Sequence, residues 1–139
     1  MRNVLSVILG IVVGMAFNMA LIQLNMAVFF PVPPGMDASD PEQFNTYIQA
    51  LPNQAFLLVV IAHLGQSFLG GWIAARLGSS RPMLLALIVG FVSLMGGVAA
   101  ILTIPGPSWM VLEIPLYLAM AFMAGRMEQT RRKAVHGGE

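Results

Sequence analysis

The chain contains no cysteine and very little charge. Charged residues make up 9% of its 139 residues, whereas a soluble domain carries roughly 25%. A water-facing surface cannot be covered at that density, so the sequence excludes a soluble globular fold. The lack of cysteine excludes disulfides, thiolate nucleophiles and thiolate-bound metals. Seven Lys and Arg against six Asp and Glu leave a net charge of +1, which excludes the basic surface that nucleic-acid binding requires.

Hydrophobic residues are abundant instead, at 58% of the chain. They form four long runs, at about 4–30, 55–77, 82–104 and 109–127. A helix needs about 20 residues to cross the hydrocarbon core. Because lipid cannot satisfy backbone polar groups, each run must be helical, and none shows the alternation of a barrel strand. The sequence therefore predicts an all-α integral membrane protein, a single domain over 1–139 whose four transmembrane helices form a bundle.

All the basic side chains fall on one side of this predicted bundle. They are Arg2, Arg76, Arg81, Arg126, Arg131, Arg132 and Lys133. The other side carries Asp37, Asp40 and Glu42. The positive-inside rule then predicts a multi-pass protein of the plasma (inner) membrane with both termini in the cytoplasm and a cytoplasmic tail over 128–139. The first run exceeds the apolar core of a signal peptide, about 7–15 residues, so it is expected to be retained.

The outer connection at 31–54 is predicted to contain a short amphipathic helix. Asp40 or Ser39 suits the N-cap, and Pro41 suits the first helical position. One apolar stripe follows, formed by Phe44, Tyr47, Ile48 and Leu51. This helix is either a lid over a cavity or an interfacial helix that shields the bundle. The second interpretation is favoured, since an interfacial helix needs no ligand to be stable.

Small residues mark one face of each span, as close packing between membrane helices requires. The glycines expected at helix contacts are Gly10, Gly14, Gly70, Gly90, Gly97 and Gly125. The opposite faces are rich in large apolar residues, and Leu85 is expected to contact lipid. One inward face in every span favours a compact bundle.

The strongest polar groups of the spans collect in the outer half of the predicted bundle. The candidate polar cluster is Asn18, Asn25, His63, Gln66, Glu113 and Tyr117. Glu113 is the only acid within a span and His63 the only histidine, and burying a charge there costs a few kcal/mol. Three interpretations remain open: a proton or ion site, a structural hydrogen bond from His63 to Glu113 or Asn25, or a Glu113 shallow enough to reach water. No metal site is expected, since one histidine supplies too few ligands.

Two segments carry a resemblance to known proteins. They read PPGMDASDP over 33–41 and GQSFLGGWIAAR over 65–76. Both resemble segments of small uncharacterised bacterial inner-membrane proteins with four spans. In that group a similar outer loop joins the first two helices, and the second helix carries a similar Gly-Gly run. The resemblance implies a bacterial inner-membrane location and brings no activity with it.

Reactive groups in catalytic arrangements are missing from the sequence. It has no HExxH motif, no nucleotide-binding glycine loop and no nucleophile beside a base. We therefore expect a non-enzymatic protein without a cofactor, either a membrane scaffold or an accessory subunit. Its partners would be membrane lipid and either further copies of itself or a larger membrane complex. The alternative is an oligomeric transporter or channel for a small solute, ion or proton that uses the polar cluster.

Overall fold

A computed structural model describes residues 1–136, and all regular structure in that range is helical. The helices are α1 (Arg2–Leu24), α2 (Pro41–Ala50), α3 (Asn53–Leu77), α4 (Pro82–Thr103) and α5 (Ile114–His136). A π-helical turn, Asn25–Phe29, extends α1, and a 3-10 helix, Ser108–Glu113, precedes α5. Within the described range, four stretches are long and apolar enough to cross a membrane: Arg2–Phe29, Asn53–Leu77, Pro82–Thr103 and Ser108–Val135. The predicted all-helical fold with four such helices is confirmed.

Helix α3 is central, since it packs against α1, α4 and α5. At the crossing of α1 and α3 the two backbones touch. A Cβ atom built on Gly70 would lie 2.6 Å from the carbonyl oxygen of Gly10, and one on Gly14 would lie 2.7 Å from that of Gln66. Only glycine fits at such a crossing. Close packing of small residues is typical of helices that associate in lipid, because apolar side chains gain little there by leaving the lipid.

The remaining expected packing glycines are also buried. Gly90 lies against Ala121, Gly97 lies against the ring of Tyr117, and Gly125 lies against Met83. These contacts join α4 to α5.

Leu85 is only 5% exposed, so the expectation that it contacts lipid is wrong. It packs with Ala74 and Val89, beside Val7 and Ile11 of α1. The reason is that α4 contacts α1 as well as α3 and α5. Its buried face is therefore wider than its stripe of small residues.

The end of the molecule that carries the N-terminus and the α3–α4 link is here called the basic end. The side chain of Asn3 fastens this link: its Oδ1 accepts from the Ser79 amide at 2.8 Å, and its Nδ2 donates to Ser80 Oγ at 2.9 Å. Arg2 Nε donates to the carbonyl of Leu77 at 3.0 Å. The start of α1 and the end of α3 are thereby joined. The opposite end, which carries α2, is called the loop end.

Helix α5 continues to His136, so residues 128–136 of the expected tail are helical. The extension depends on Glu128, which is fully buried and accepts from Arg131 Nη2 at 2.6 Å and from Arg132 Nε at 3.0 Å. Arg76 of α3 stands 3.5 Å from the same carboxylate. Arg132 also donates to the carbonyls of Ala75 and Gly78, at 2.6 and 2.8 Å, and these lie at the end of α3. This ion network anchors the last turns of α5.

The fourth span begins as a 3-10 helix and becomes α-helical only at Ile114. The cause is Pro115, which has no N–H to bond the carbonyl four residues earlier. In the first turn of α5 that missing donor costs nothing. The apolar run at 109–127 predicts one continuous helix, and the structure divides it at Ile114.

Helix α2 forms where the sequence predicted a short amphipathic helix. Asp40 is its N-cap and accepts from the Glu42 amide at 2.9 Å. The Gln43 side chain donates to Asp40 at 2.8 Å, and this bond, together with those from the backbone, holds the pKa of Asp40 below its ordinary value of 3.8. Tyr47 and Ile48 are buried. The apolar stripe of α2 thus faces the ends of the long helices.

Candidate functional site

His63, Glu113 and Tyr117 meet in the half of the bundle nearest the loop end. His63 Nδ1 lies 3.0 Å from Glu113 Oε1, and the Tyr117 hydroxyl donates to the same oxygen at 3.1 Å. Glu113 and Tyr117 are four residues apart and therefore share a face, and His63 meets them from α3. Glu113 is 2% exposed and Tyr117 is 1% exposed. Of the two partners considered for His63, the structure brings Glu113 within bonding distance.

A second group of polar side chains links the four long helices. Asn18 Nδ2 donates to Gln66 Oε1 at 2.7 Å, and Gln66 Nε2 donates to Ser93 Oγ at 3.4 Å. Ser67, next to Gln66, donates to the Tyr117 carbonyl at 2.7 Å. Hydrogen bonds thereby connect α1, α3, α4 and α5.

Asn25 stands apart from both groups, at the start of the π-helical turn. Its Nδ2 donates to the carbonyl of Ala55 at 3.1 Å, near the start of α3. Its own carbonyl accepts from the Phe30 amide at 2.8 Å. Asn25 therefore ties the end of the first span to α3.

Three buried acceptor atoms of these side chains have no hydrogen-bond partner among the residues that the structure describes. They are Asn18 Oδ1, Asn25 Oδ1 and Glu113 Oε2. Buried polar atoms are normally satisfied, and an unsatisfied one costs roughly 1–3 kcal/mol. The polar cluster is thus open to further donors.

A cavity of about 350 Å³ lies between α2 and the ends of the long helices. Its walls are mostly apolar and include Phe44, Tyr47, Phe56 and Met110, while Asn25 and His63 also line it. The volume falls within the range of small-molecule pockets, roughly 300–1,000 Å³. The stripe of α2 covers this cavity, which is the geometry of the lid interpretation.

No family model matches this chain, and no curated protein or solved structure matches it. The chemistry of the site therefore has to be read from its own groups. Within residues 1–136, no three of the His, Asp and Glu side chains stand together as a metal site. The arrangement offers hydrogen bonding, and proton exchange between His63 and Glu113.

Two parts of the structure have only a weak signal in the sequence. The positions of Ser67 and Ser93 in the sequence indicate small packing residues, yet both hydroxyls take part in hydrogen bonds between helices. The ion network of Glu128 lies beyond the apolar run at 109–127, so hydrophobicity alone does not reveal it. The signal for it was the spacing of Glu128, Arg131 and Arg132, which places three charges on one helix face.

Proposed function

We propose that the four long helices cross a bilayer, with both termini and the basic end in the cytoplasm and the loop end outside. The charges of the two ends support this orientation, since arginines gather at the basic end and acidic residues lie in the 31–54 loop. The outward faces support insertion, because large apolar side chains stand exposed on them. Examples are Ile61 at 56%, Phe91 at 56% and Phe122 at 46%. Exposing these apolar side chains to water is unfavourable, whereas exposing them to lipid is not.

Single cysteines test this topology cleanly, because the chain has none of its own. In right-side-out vesicles, a membrane-impermeant maleimide should label Ser39→Cys directly and Ser79→Cys only after permeabilisation. Both positions are exposed, and full labelling of each in detergent is the control. Labelling of both from one side contradicts the topology.

We infer that the protein is a non-enzymatic accessory or scaffold protein of the membrane. The observation that carries this proposal is the close packing between the helices. Gly70 touches the backbone of α1, Gly90 lies against Ala121, and Gly97 lies against Tyr117. A path for a solute along the bundle axis would have to separate these helices. A rigid bundle is suited to holding membrane lipid, further copies of this chain or a larger complex in place.

Proton transport is the second candidate, and a specific observation favours it. His63 borders the cavity on one side and bonds Glu113 on the other. Glu113 Oε2 has no partner among the described residues. A proton entering from the cavity would therefore reach a buried carboxylate. Beyond Tyr117 the packing at Gly97 closes the route in one copy, so transport would need an oligomer or a change of shape.

Liposomes that contain the purified protein and an internal pH dye distinguish the two candidates. The accessory role predicts that an imposed pH gradient decays at the rate of protein-free liposomes. A faster decay that Glu113→Gln abolishes would contradict the accessory role and favour transport. Glu42→Gln is the matched control, because Glu42 is an exposed acid on α2.

A further inference from the structure

We propose that the cavity beneath α2 binds a neutral amphiphile, a hydrocarbon chain with a hydroxyl head. This ligand adds to the accessory role and does not depend on it. The cavity of about 350 Å³ would hold roughly a dozen water-sized groups at about 30 Å³ each. Its walls combine Phe44 and Tyr47 of α2 with Val59 of α3 and Ile101 of α4. Such walls favour an apolar body.

The hydroxyl head follows from Asn25. This side chain lines the cavity and is 3% exposed. Its Nδ2 is engaged by the carbonyl of Ala55, and its Oδ1 has no partner among the described residues. A ligand that satisfies this oxygen must bring a donor. A hydrocarbon without a polar group would leave the oxygen unpaired.

His63 supplies the second polar contact. Its Nδ1 is engaged by Glu113, so Nε2 is the ring nitrogen left for a ligand. When His63 and Glu113 form the ion pair that their 3.0 Å contact allows, Nε2 also carries a hydrogen and is a donor. A hydroxyl both donates and accepts, so it can give its hydrogen to Asn25 Oδ1 and accept from His63 Nε2. An ammonium head brings three donors and no acceptor, so it would leave His63 Nε2 and two of its own N–H groups unpaired.

Charge argues against a carboxylate head. Glu113 lies behind His63, and every arginine of the chain lies at or near the basic end or in the last turns of α5. Because Glu113 already offsets the charge of His63 in that ion pair, a fatty acid would bring a negative charge for which the described residues place no further cation nearby. Burying such a charge without a partner is costly.

The cavity opens on a flank of the bundle. Ile104 and Val111 line it and are 38% and 50% exposed. Both are apolar; Ile104 directly follows α4, and Val111 lies within the 3-10 helix. A ligand with a hydrocarbon tail can therefore come from the bilayer itself.

Tryptophan fluorescence tests the proposal on the full chain in nanodiscs. The chain has two tryptophans, and Trp72→Phe leaves Trp109, which packs against the apolar cluster under α2. A dodecanol brominated on its chain should quench Trp109 saturably. The matching methyl ether, carboxylate and amine should bind about tenfold more weakly, as expected from a lost hydrogen bond or an unpaired charge.

Three variants separate binding from partition into the bilayer. Asn25→Leu should bind the alcohol and its methyl ether equally, because the acceptor is gone. Ala100→Phe, which fills the cavity and keeps both polar groups, should abolish saturable quenching by every probe. Gln23→Leu is the control, since Gln23 is exposed and not among the lining residues. Thermal melting checks that each variant is folded.

Equal quenching by all four heads, tighter binding of the amine or carboxylate, or saturable quenching that survives Ala100→Phe would overturn the proposal. These outcomes leave the topology and the liposome results untouched, so failure of the ligand is distinguishable from failure of the accessory role.

Discussion

Replacing His63 by leucine removes a donor from Glu113 in a place that water hardly reaches. Glu113 is 2% exposed, and its Oε1 would keep only the Tyr117 hydroxyl at 3.1 Å. The carboxylate is then less well satisfied. We expect the free energy of unfolding to fall by about 1–3 kcal/mol.

Glu113→Leu has a larger expected cost. It removes the acceptor of both His63 Nδ1 and the Tyr117 hydroxyl, so we expect a loss of about 2–4 kcal/mol. In the double variant His63 is gone as well, and only the Tyr117 hydroxyl remains without its acceptor. The double variant should therefore cost less than the sum of the two single variants, by about 1–3 kcal/mol.

Unfolding in mild detergent by titration with SDS, followed by helical circular dichroism, measures the four members of this cycle. Additivity within about 0.3–0.5 kcal/mol would show that the 3.0 Å contact does not couple the two residues. A second cycle pairs Asn18→Leu with Glu113→Leu. Asn18 bonds Gln66 in the other polar group, so this control cycle should be additive.

Three further predictions concern the frame around the site. Gly70→Leu should lower the unfolding free energy by about 1–3 kcal/mol through overpacking, because its Cβ would lie 2.6 Å from a backbone oxygen. Gly96→Leu should be nearly neutral, since apart from the adjacent backbone of α4 no atom of the described residues would lie within 4 Å of its Cβ. Equal melting temperatures of the two variants would refute the crossing. Glu128→Gln should lower the free energy of unfolding by about 1–3 kcal/mol, which is less than for a fully buried ion pair because the arginines around Glu128 reach water. Glu42→Gln is the control and should leave that free energy unchanged. A Glu128→Gln variant as stable as the native chain would refute the ion network. The lowered pKa of Asp40 means that its contribution to α2 is complete above the ordinary value of 3.8 and is lost as pH falls through the lower folded value. Protease cleavage in the 31–54 loop should rise only at strongly acidic pH in the native chain and already at neutral pH in Asp40→Ala, and equal cleavage of the two would count against this cap.

Several parts of the fold could be predicted from sequence because their causes are local. The long apolar runs specify helices whatever they pack against, since unsatisfied backbone groups would be costly in an apolar setting. Asp40 and Pro41 specify the start of α2 through contacts within one turn. The glycines indicated the inward faces of the helices, and the six singled out are all buried.

Other parts depended on how the helices stand against one another. Leu85 is buried because α4 meets α1 as well as its two other neighbours, which no pattern within α4 reveals. The cavity beneath α2 exists only because the 31–54 loop folds back over four helix ends.

The same holds for the polar cluster and the ion network. The sequence alone determined which side chains are polar, on which face and at what depth, because helical periodicity fixes these. It left open whether His63 would bond Asn25 or Glu113, and it did not predict that Arg132 would lie at the end of α3. The tertiary structure decided both, at sequence separations of 50 and 57 residues. The relative rotation and height of two helices follow from the glycine crossings and the lengths of the links between them, which are properties of the packed chain and not of any one segment.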